Sequence, residues 1–185
     1  MKRLLTALAI AAALATSAHA TVYTQVQPDK SSIEFSYSQM GVPMDGRFRK
    51  FSSQLSFDPA QPAAAKVAID VDLASIDTGT PELDTEAAGK DWFNLKSFPT
   101  ARFVATGVKP LGGNRYSVAG KLTIKGRAKD IVVPATFTAQ GNTGVFAGQF
   151  TIRRGDFAIG EGAWSAFDIV ANDVTVKFRV TASGK

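Results

Sequence analysis

Val174, Val176, Phe178 and Val180 alternate without slippage with Thr175, Lys177, Arg179 and Thr181. A strict period of two puts one set of side chains on each face of a strand, so this segment buries an oily face and wets the other. Val67, Ile69, Val71 and Leu73 alternate in the same way with Ala68, Asp70 and Asp72. The pattern recurs through Ser32–Tyr37, Arg47–Asp58, Ala101–Val108, Tyr116–Lys125, Ile131–Phe137 and Phe146–Ile152. In Arg47–Asp58, Phe48 is out of phase with Phe51, Leu55 and Phe57, which predicts a bend or bulge near Lys50. Pro134 inside its run predicts an edge position or a bulge, because proline donates nothing to a ladder. About eight strands at hairpin spacing fit an all-β, antiparallel barrel or sandwich.

The alternation fails over one long stretch, Ser75 to Pro99. A short helical insertion is expected near residues 82–90, with Thr80 or Thr85 as its cap and Gly89 at its end. Trp92, Phe93 and Phe98 then gather three large aromatics within seven residues of non-strand sequence. A lid or mouth over a hollow barrel gives them an apolar place to go. Asp70 and Asp72 stand opposite an oily face and read as solvent-facing rather than catalytic.

Lys2 and Arg3, the apolar run Leu4–Leu14 and the small-x-small Ala18-His19-Ala20 form a signal peptide over residues 1–20, with cleavage after Ala20 and export to the periplasm. Residues 21–185 then make one domain of 185 − 20 = 165 residues, with net charge falling from +5 to +3 as Lys2 and Arg3 leave. No later segment is long and apolar enough to be a transmembrane helix. The separated basic clusters carry no base-reading motif, so no nucleic-acid partner is expected. The chain has no cysteine, and its one histidine is His19. The exported part thus lacks the usual general base, thiol nucleophiles and the common zinc and copper ligands. No metal, cofactor or catalytic residue is assigned.

The order and spacing of several segments resemble the YceI family of secreted, lipocalin-like barrels. Ser32-Ile33-Glu34-Phe35 with Gly46-Arg47-Phe48 and Phe51 is similar to the family's opening strand pair. Ala74-Ser75-Ile76-Asp77-Thr78, Trp92-Phe93-Asn94 and Phe98-Pro99-Thr100-Ala101-Arg102-Phe103 resemble its most recognisable segment. Gly120-Lys121-Leu122-Thr123-Ile124-Lys125-Gly126 and Arg154-Gly155-Asp156-Phe157 complete the likeness. Many members carry a histidine before the glycine that is Gly41 here, whereas this chain has Gln39-Met40.

The resemblance implies a carrier of a long-chain apolar lipid: a polyisoprenoid, an isoprenoid quinone or a fatty-acid-like chain. Burial contributes about 0.8 kcal/mol per methylene, so a dozen carbons (roughly) offset an association cost of about 4–15 kcal/mol. The expected wall is Phe35, Tyr37, Met40, Phe48, Phe51, Phe103, Leu122, Ile124 and Phe150, with Trp92, Phe93 and Phe98 at the mouth. Ala101, Ala105, Gly120, Ala135 and Gly148 are expected to leave room. Alternation puts Arg154 and Asp156 on the interior face, as a head-group anchor through Arg154 or as an ion pair closing one end. Other readings stay open: a barrel lyase or isomerase using Tyr37, Asp156 or Glu161, and an accessory module for a membrane redox partner. A homodimer is a further option. An outer-membrane barrel is disfavoured, since it needs apolar side chains outward and aromatic girdles.

Overall fold

The computed structural model describes residues 21–184, so the expected signal peptide lies outside the described residues. Eleven strands form one antiparallel sheet that curls on itself. They are β1 (Tyr23–Val26), β2 (Ser32–Gln39), β3 (Val42–Phe48), β4 (Phe51–Ser56), β5 (Lys66–Asp72), β6 (Ile76–Asp77), β7 (Thr100–Gly112), β8 (Arg115–Ile124), β9 (Arg127–Gln140), β10 (Thr143–Arg153) and β11 (Asp173–Gly184). Three joins, β1 to β2, β3 to β4 and β5 to β6, are breaks within continuous ribbons. Eleven less three leaves eight ribbons, each paired with its neighbour in the chain.

The circle closes where the first ribbon returns. β1 and β2 both pair with β11, at Val26↔Ala182 and Phe35↔Val176. On their other side, β2 pairs with β3, and Tyr23 exchanges both backbone hydrogen bonds with Phe57 beyond β4, at 2.9 and 3.0 Å. Closure removes the exposed edges that invite aggregation.

The break between β3 and β4 is the expected bend. Asp72 N donates to Lys50 O at 3.1 Å and Arg49 N to Ser75 O at 3.0 Å, carrying the ladder across the kink. Pro134 also behaves as its chemistry requires: β9 pairs with β10 only from Thr136 to Gln140, and the ladder lapses where Pro134 has no N–H to give. Tyr23–Val26, outside the alternating runs, is also a strand of the barrel, and β7 runs on to Gly112, which leaves only a tight turn before β8.

Apolar side chains face inward. Buried Leu73, Leu122, Ile124, Ile152 and Phe157 form one core cluster, and Tyr23, Phe57, Tyr116 and Phe137 another. The outer face carries cross-strand ion pairs, Arg102 with Asp70 at 2.6 Å and Lys121 with Asp130 at 2.8 Å. This is the reverse of a lipid-facing barrel.

Glycines act as seats for rings rather than as sources of empty space. Gly46 lies under Phe35, Gly120 under Phe103, Gly144 under Phe137 and Gly148 under Phe178, and a Cβ at any of the four would collide with the ring. The expectation that Gly120 and Gly148 leave room is therefore wrong: a neighbouring strand's phenylalanine takes it.

The helix α1 spans Pro81–Ala88, with Gly89 at its C-cap. Thr80 occupies the N-cap but its side chain makes no capping bond. Thr85 back-bonds to Pro81 O instead, and Asp84 accepts from Thr78 N and Oγ1 at 2.8 and 2.7 Å, tying the helix to the end of β6.

Candidate functional site: an apolar cavity under a hydrogen-bonded lid

Inside the barrel is a cavity of about 290 Å³ whose wall is almost wholly apolar. It extends from Phe57, Tyr116 and Phe146 at one end to Leu83, Trp92, Phe93 and Trp164 at the other. That volume is at the lower end of the range for small-molecule pockets, about 300–1,000 Å³. A slender chain suits it better than a globular ligand.

Of the expected wall, Phe35, Tyr37, Phe48, Phe103, Leu122, Ile124 and Phe150 line the cavity, as do Trp92, Phe93 and Arg154. Three others do not. Met40 is at the β2–β3 tip with φ +49° and is 71% exposed, because the positive-φ turn it shares with Gly41 ends the alternation. Phe51 stands beside the kink and is not part of the wall, although its partner Val71 is. Phe98 packs against Gly126 in the β8–β9 turn and is not part of the cavity wall.

The wall also includes residues that strand periodicity could have supplied, such as Ile69, Val71, Val176 and Phe178. Others carried no signal. Glu86 and Trp164 lie 78 positions apart, yet Trp164 Nε1 donates to Glu86 Oε1 at 2.7 Å.

The end bearing α1 is covered by two connections, residues 78–99 and 154–172. Backbone bonds fold the first back on itself, from Phe93 N to Ala87 O and from Leu95 N to Ala88 O. Gly160 N and Glu161 N both donate to Asp91 O at 2.8 Å, joining the two connections. Lys125 Nζ, from the β8–β9 turn, donates to Ala158 O at 2.7 Å and to Glu161 Oε2 at 3.0 Å. Lys125 therefore holds the Glu161 carboxyl below its usual pKa, with smaller help from Arg127 and Lys90.

Arg154 is the hub. It is 1% exposed, and its guanidinium donates only to backbone carbonyls. Nη1 reaches Ile159 O at 2.8 Å and Gly160 O at 2.9 Å; Nη2 reaches Trp164 O at 2.8 Å and Val170 O at 2.7 Å; Nε reaches Ala171 O at 3.1 Å. The rings of Phe167 and Trp92 lie 4.9 and 5.9 Å from its central carbon. Gly160, with φ +75°, must be glycine, since a Cβ there would strike Nη1. Burial lowers the Arg154 pKa from its ordinary value, yet a guanidinium stays charged.

This corrects the expected Arg154–Asp156 pair. Asp156 bonds to Arg153 Nη2 at 3.1 Å on the surface, and Arg154 spends its donors on the loop that covers the barrel. It is neither an end-sealing ion pair nor a donor with hydrogens to spare. The three residues named for a barrel lyase are likewise not brought together. Tyr37 lines the cavity, its phenol pushed up in pKa by burial, whereas Asp156 and Glu161 are tied to Arg153 and Lys125 outside the wall.

An antiparallel barrel with an internal apolar cavity and a lid at one end defines a lipocalin-like class. A family model described as "YceI-like domain" matches residues 24–182, and the chain belongs to that family. A UPF0312 protein of Pseudomonas savastanoi pv. phaseolicola is 32% identical over 169 residues, covering 86% of this chain and 88% of the relative. One from Azotobacter vinelandii is 33% identical, covering 76% of each. Among solved structures, BcnA of Burkholderia cenocepacia superposes with a TM-score of 0.84 at 43% identity, over 86% of this chain and 100% of that one. A polyisoprenoid binding domain from Saccharophagus degradans gives a TM-score of 0.70 over 90% of this chain and 99% of that one. At 15% identity it shares the fold alone.

Proposed function

We propose that the protein is a periplasmic carrier, exported by residues 1–20 and folded as one domain over residues 21–185, that holds a single long-chain apolar lipid inside the barrel. The observation that carries this reading is the cavity: about 290 Å³ walled by phenylalanine, leucine, isoleucine and valine. An eight-stranded barrel is just wide enough to be filled by its own side chains or to hold one small ligand, and this one leaves space unfilled. The family supports the same reading, and a polyisoprenoid is the first ligand class to test. Binding, not turnover, is the activity proposed.

The test is native mass spectrometry of protein recovered from its own periplasm, followed by solvent extraction of whatever it holds. One lipid per barrel, released unchanged, is the expected result. Protein that comes out empty and takes up no lipid in vitro would sink the carrier, and chemically altered lipid would point to an enzyme.

A further inference from the structure

Among the described residues, four large apolar side chains are exposed side by side. Met40 and Val42 flank Gly41 at the β2–β3 tip, and Phe167 and Ile169 belong to the connection 154–172. Met40 N donates to Ile169 O at 2.7 Å, which fixes the two segments next to each other. The other exposed large apolar side chains, Val104, Leu111 and Val132, are scattered along β7 and β9. Single exposed apolar residues are ordinary, whereas a cluster of them marks a contact surface.

The cluster is the outer lip of the cavity at its lid end. Gln39 and Val170, both in the cavity wall, bridge to each other immediately beside Met40 and Ile169. Val42 stands opposite Gln39 in the β2–β3 ladder, and directly opposed residues share a face. Phe167 is steadied from below, its ring 4.9 Å from the Arg154 guanidinium carbon and resting over Gly155, yet it stays half exposed.

Shape, size and charge choose the partner. The tip of a hairpin beside the bend of a loop is a protrusion, not a groove. A standard protein interface takes about 800 Å² from each partner, which four side chains do not supply. A bilayer needs no complementary relief and holds inserted side chains in proportion to the apolar area they bury. Asp168 is exposed between Phe167 and Ile169, and Arg153 beside them is paired with Asp156 at 3.1 Å. Among the described residues the lip therefore offers no unpaired cation to seek an anionic surface, and insertion rather than charge has to hold it.

Resting on the lipid-carrier reading, we propose that this lip docks the protein on a lipid bilayer. Met40, Val42, Phe167 and Ile169 enter the head-group layer and bring the lid end of the cavity against the membrane. A lipid chain then passes between membrane and barrel without crossing water.

The mature chain is floated with vesicles of phosphatidylcholine, and with vesicles that also contain phosphatidylglycerol. The wild type should bind both alike, and added salt should leave binding unchanged. The double variant Met40→Asn/Val42→Thr removes two inserting side chains and respects the backbone, since asparagine tolerates a positive φ and threonine suits a strand. Its vesicle affinity should fall about tenfold. Val132→Thr, on the side wall, should match the wild type. In parallel, each protein is given a fluorescent short-chain fatty acid dissolved in buffer. The double variant should take up that probe as the wild type does, while its uptake of a long-chain fatty acid from vesicles slows.

Wild-type protein that stays off the vesicles, binding confined to phosphatidylglycerol and lost in salt, or an equal loss in Val132→Thr would each overturn the docking surface. A wild-type dimer that the double variant dissolves, with no vesicle binding, would assign the lip to a second copy of the chain instead. Uptake of the dissolved probe without vesicle binding removes the docking and leaves the carrier standing. Vesicle binding through the lip with no uptake from either source removes the carrier and leaves the docking.

Discussion

The two ends of the barrel are closed by different physics. At the end holding the chain termini of the sheet, Tyr23, Phe57, Tyr116, Phe137 and Phe146 pack ring against ring, with centroids 5.0–6.5 Å apart and several pairs nearly perpendicular. Edge-to-face contacts and apolar burial hold this stopper, and no polar switch is involved. At the other end, two connections meet through Arg154, Lys125, Asp91 and the Glu86–Trp164 bond. A stopper made of rings opens only with the fold. A cover made of directional bonds can open locally at a fraction of the global free energy. If the barrel carries a lipid as proposed, the aromatic end stops the chain and the lid end admits it.

The largest expected effect is at the hub. Arg154→Met strands six carbonyls around an apolar side chain, a loss comparable to breaking a buried ion pair, about 3–5 kcal/mol. For a chain of this size each kcal/mol is worth about 2–4 °C, so thermal unfolding should fall by roughly 10 °C. Arg154→Lys should recover little, since an ammonium has three donors and no planar fork. A melting temperature within a degree or two of wild type would show that the cover stands without its hub.

Breaking the stopper should cost slightly less and act differently. Phe57 belongs both to the aromatic cluster and to the cavity wall. Phe57→Ala should lower stability by about 3 kcal/mol and lengthen the cavity. In the wild type, affinity for simple lipids should climb about fourfold per added methylene and then stop. In the variant the stop should come at a longer chain. An unchanged chain-length limit would mean that the aromatic end is not the floor.

These two ends were not equally legible in the sequence. The stopper's members sit in alternating strands, where period two reports which way a side chain points; Phe57, Tyr116 and Phe146 were all in phase. Alternation also showed the Lys50 bend and the edge character at Pro134, because both are local statements about a ladder. The lid lies in connections, where no period applies. Arg154 could be placed on the inner face, but nothing in its neighbours announced that carbonyls from six residues up to Ala171 would converge on it. Asp156 misled for the same reason: the chain turns into a short 3₁₀ segment at Arg154–Phe157, so strand parity no longer holds there. Met40 misled because a positive-φ turn resets direction in one residue. The ring-bearing glycines were hidden because their partners lie on other strands.

A milder cut sharpens the comparison from the lid side. Glu86→Ala removes the acceptor of Trp164 Nε1 at an exposed site, worth about 1 kcal/mol. Global stability should hardly move. Amide exchange in residues 81–95 and 160–166 should quicken, while β1 and the strand ends around Phe57 keep their protection. Equal quickening at both ends would erase the distinction between a local cover and a global stopper.

Acid should give the smallest effect and the cleanest sign. Glu161 has its carboxyl pKa lowered in the folded protein, first by the hydrogen bond from Lys125 and then by that lysine's charge. The unfolded or opened chain therefore binds the proton more readily. The stabilisation is full above the ordinary carboxylate range and is lost as pH falls through the lowered folded value. Glu161 is half exposed, so solvent screens the pair and its contribution to global stability is small. Its reach is local: protonation frees Lys125 to keep only Ala158 O, and exchange over residues 158–164 should rise with acidification while the aromatic end does not respond. Lys125→Met should flatten that dependence. If the aromatic end loosened with the same midpoint, the acid response would be that of the whole fold, and the two closures would not be independent.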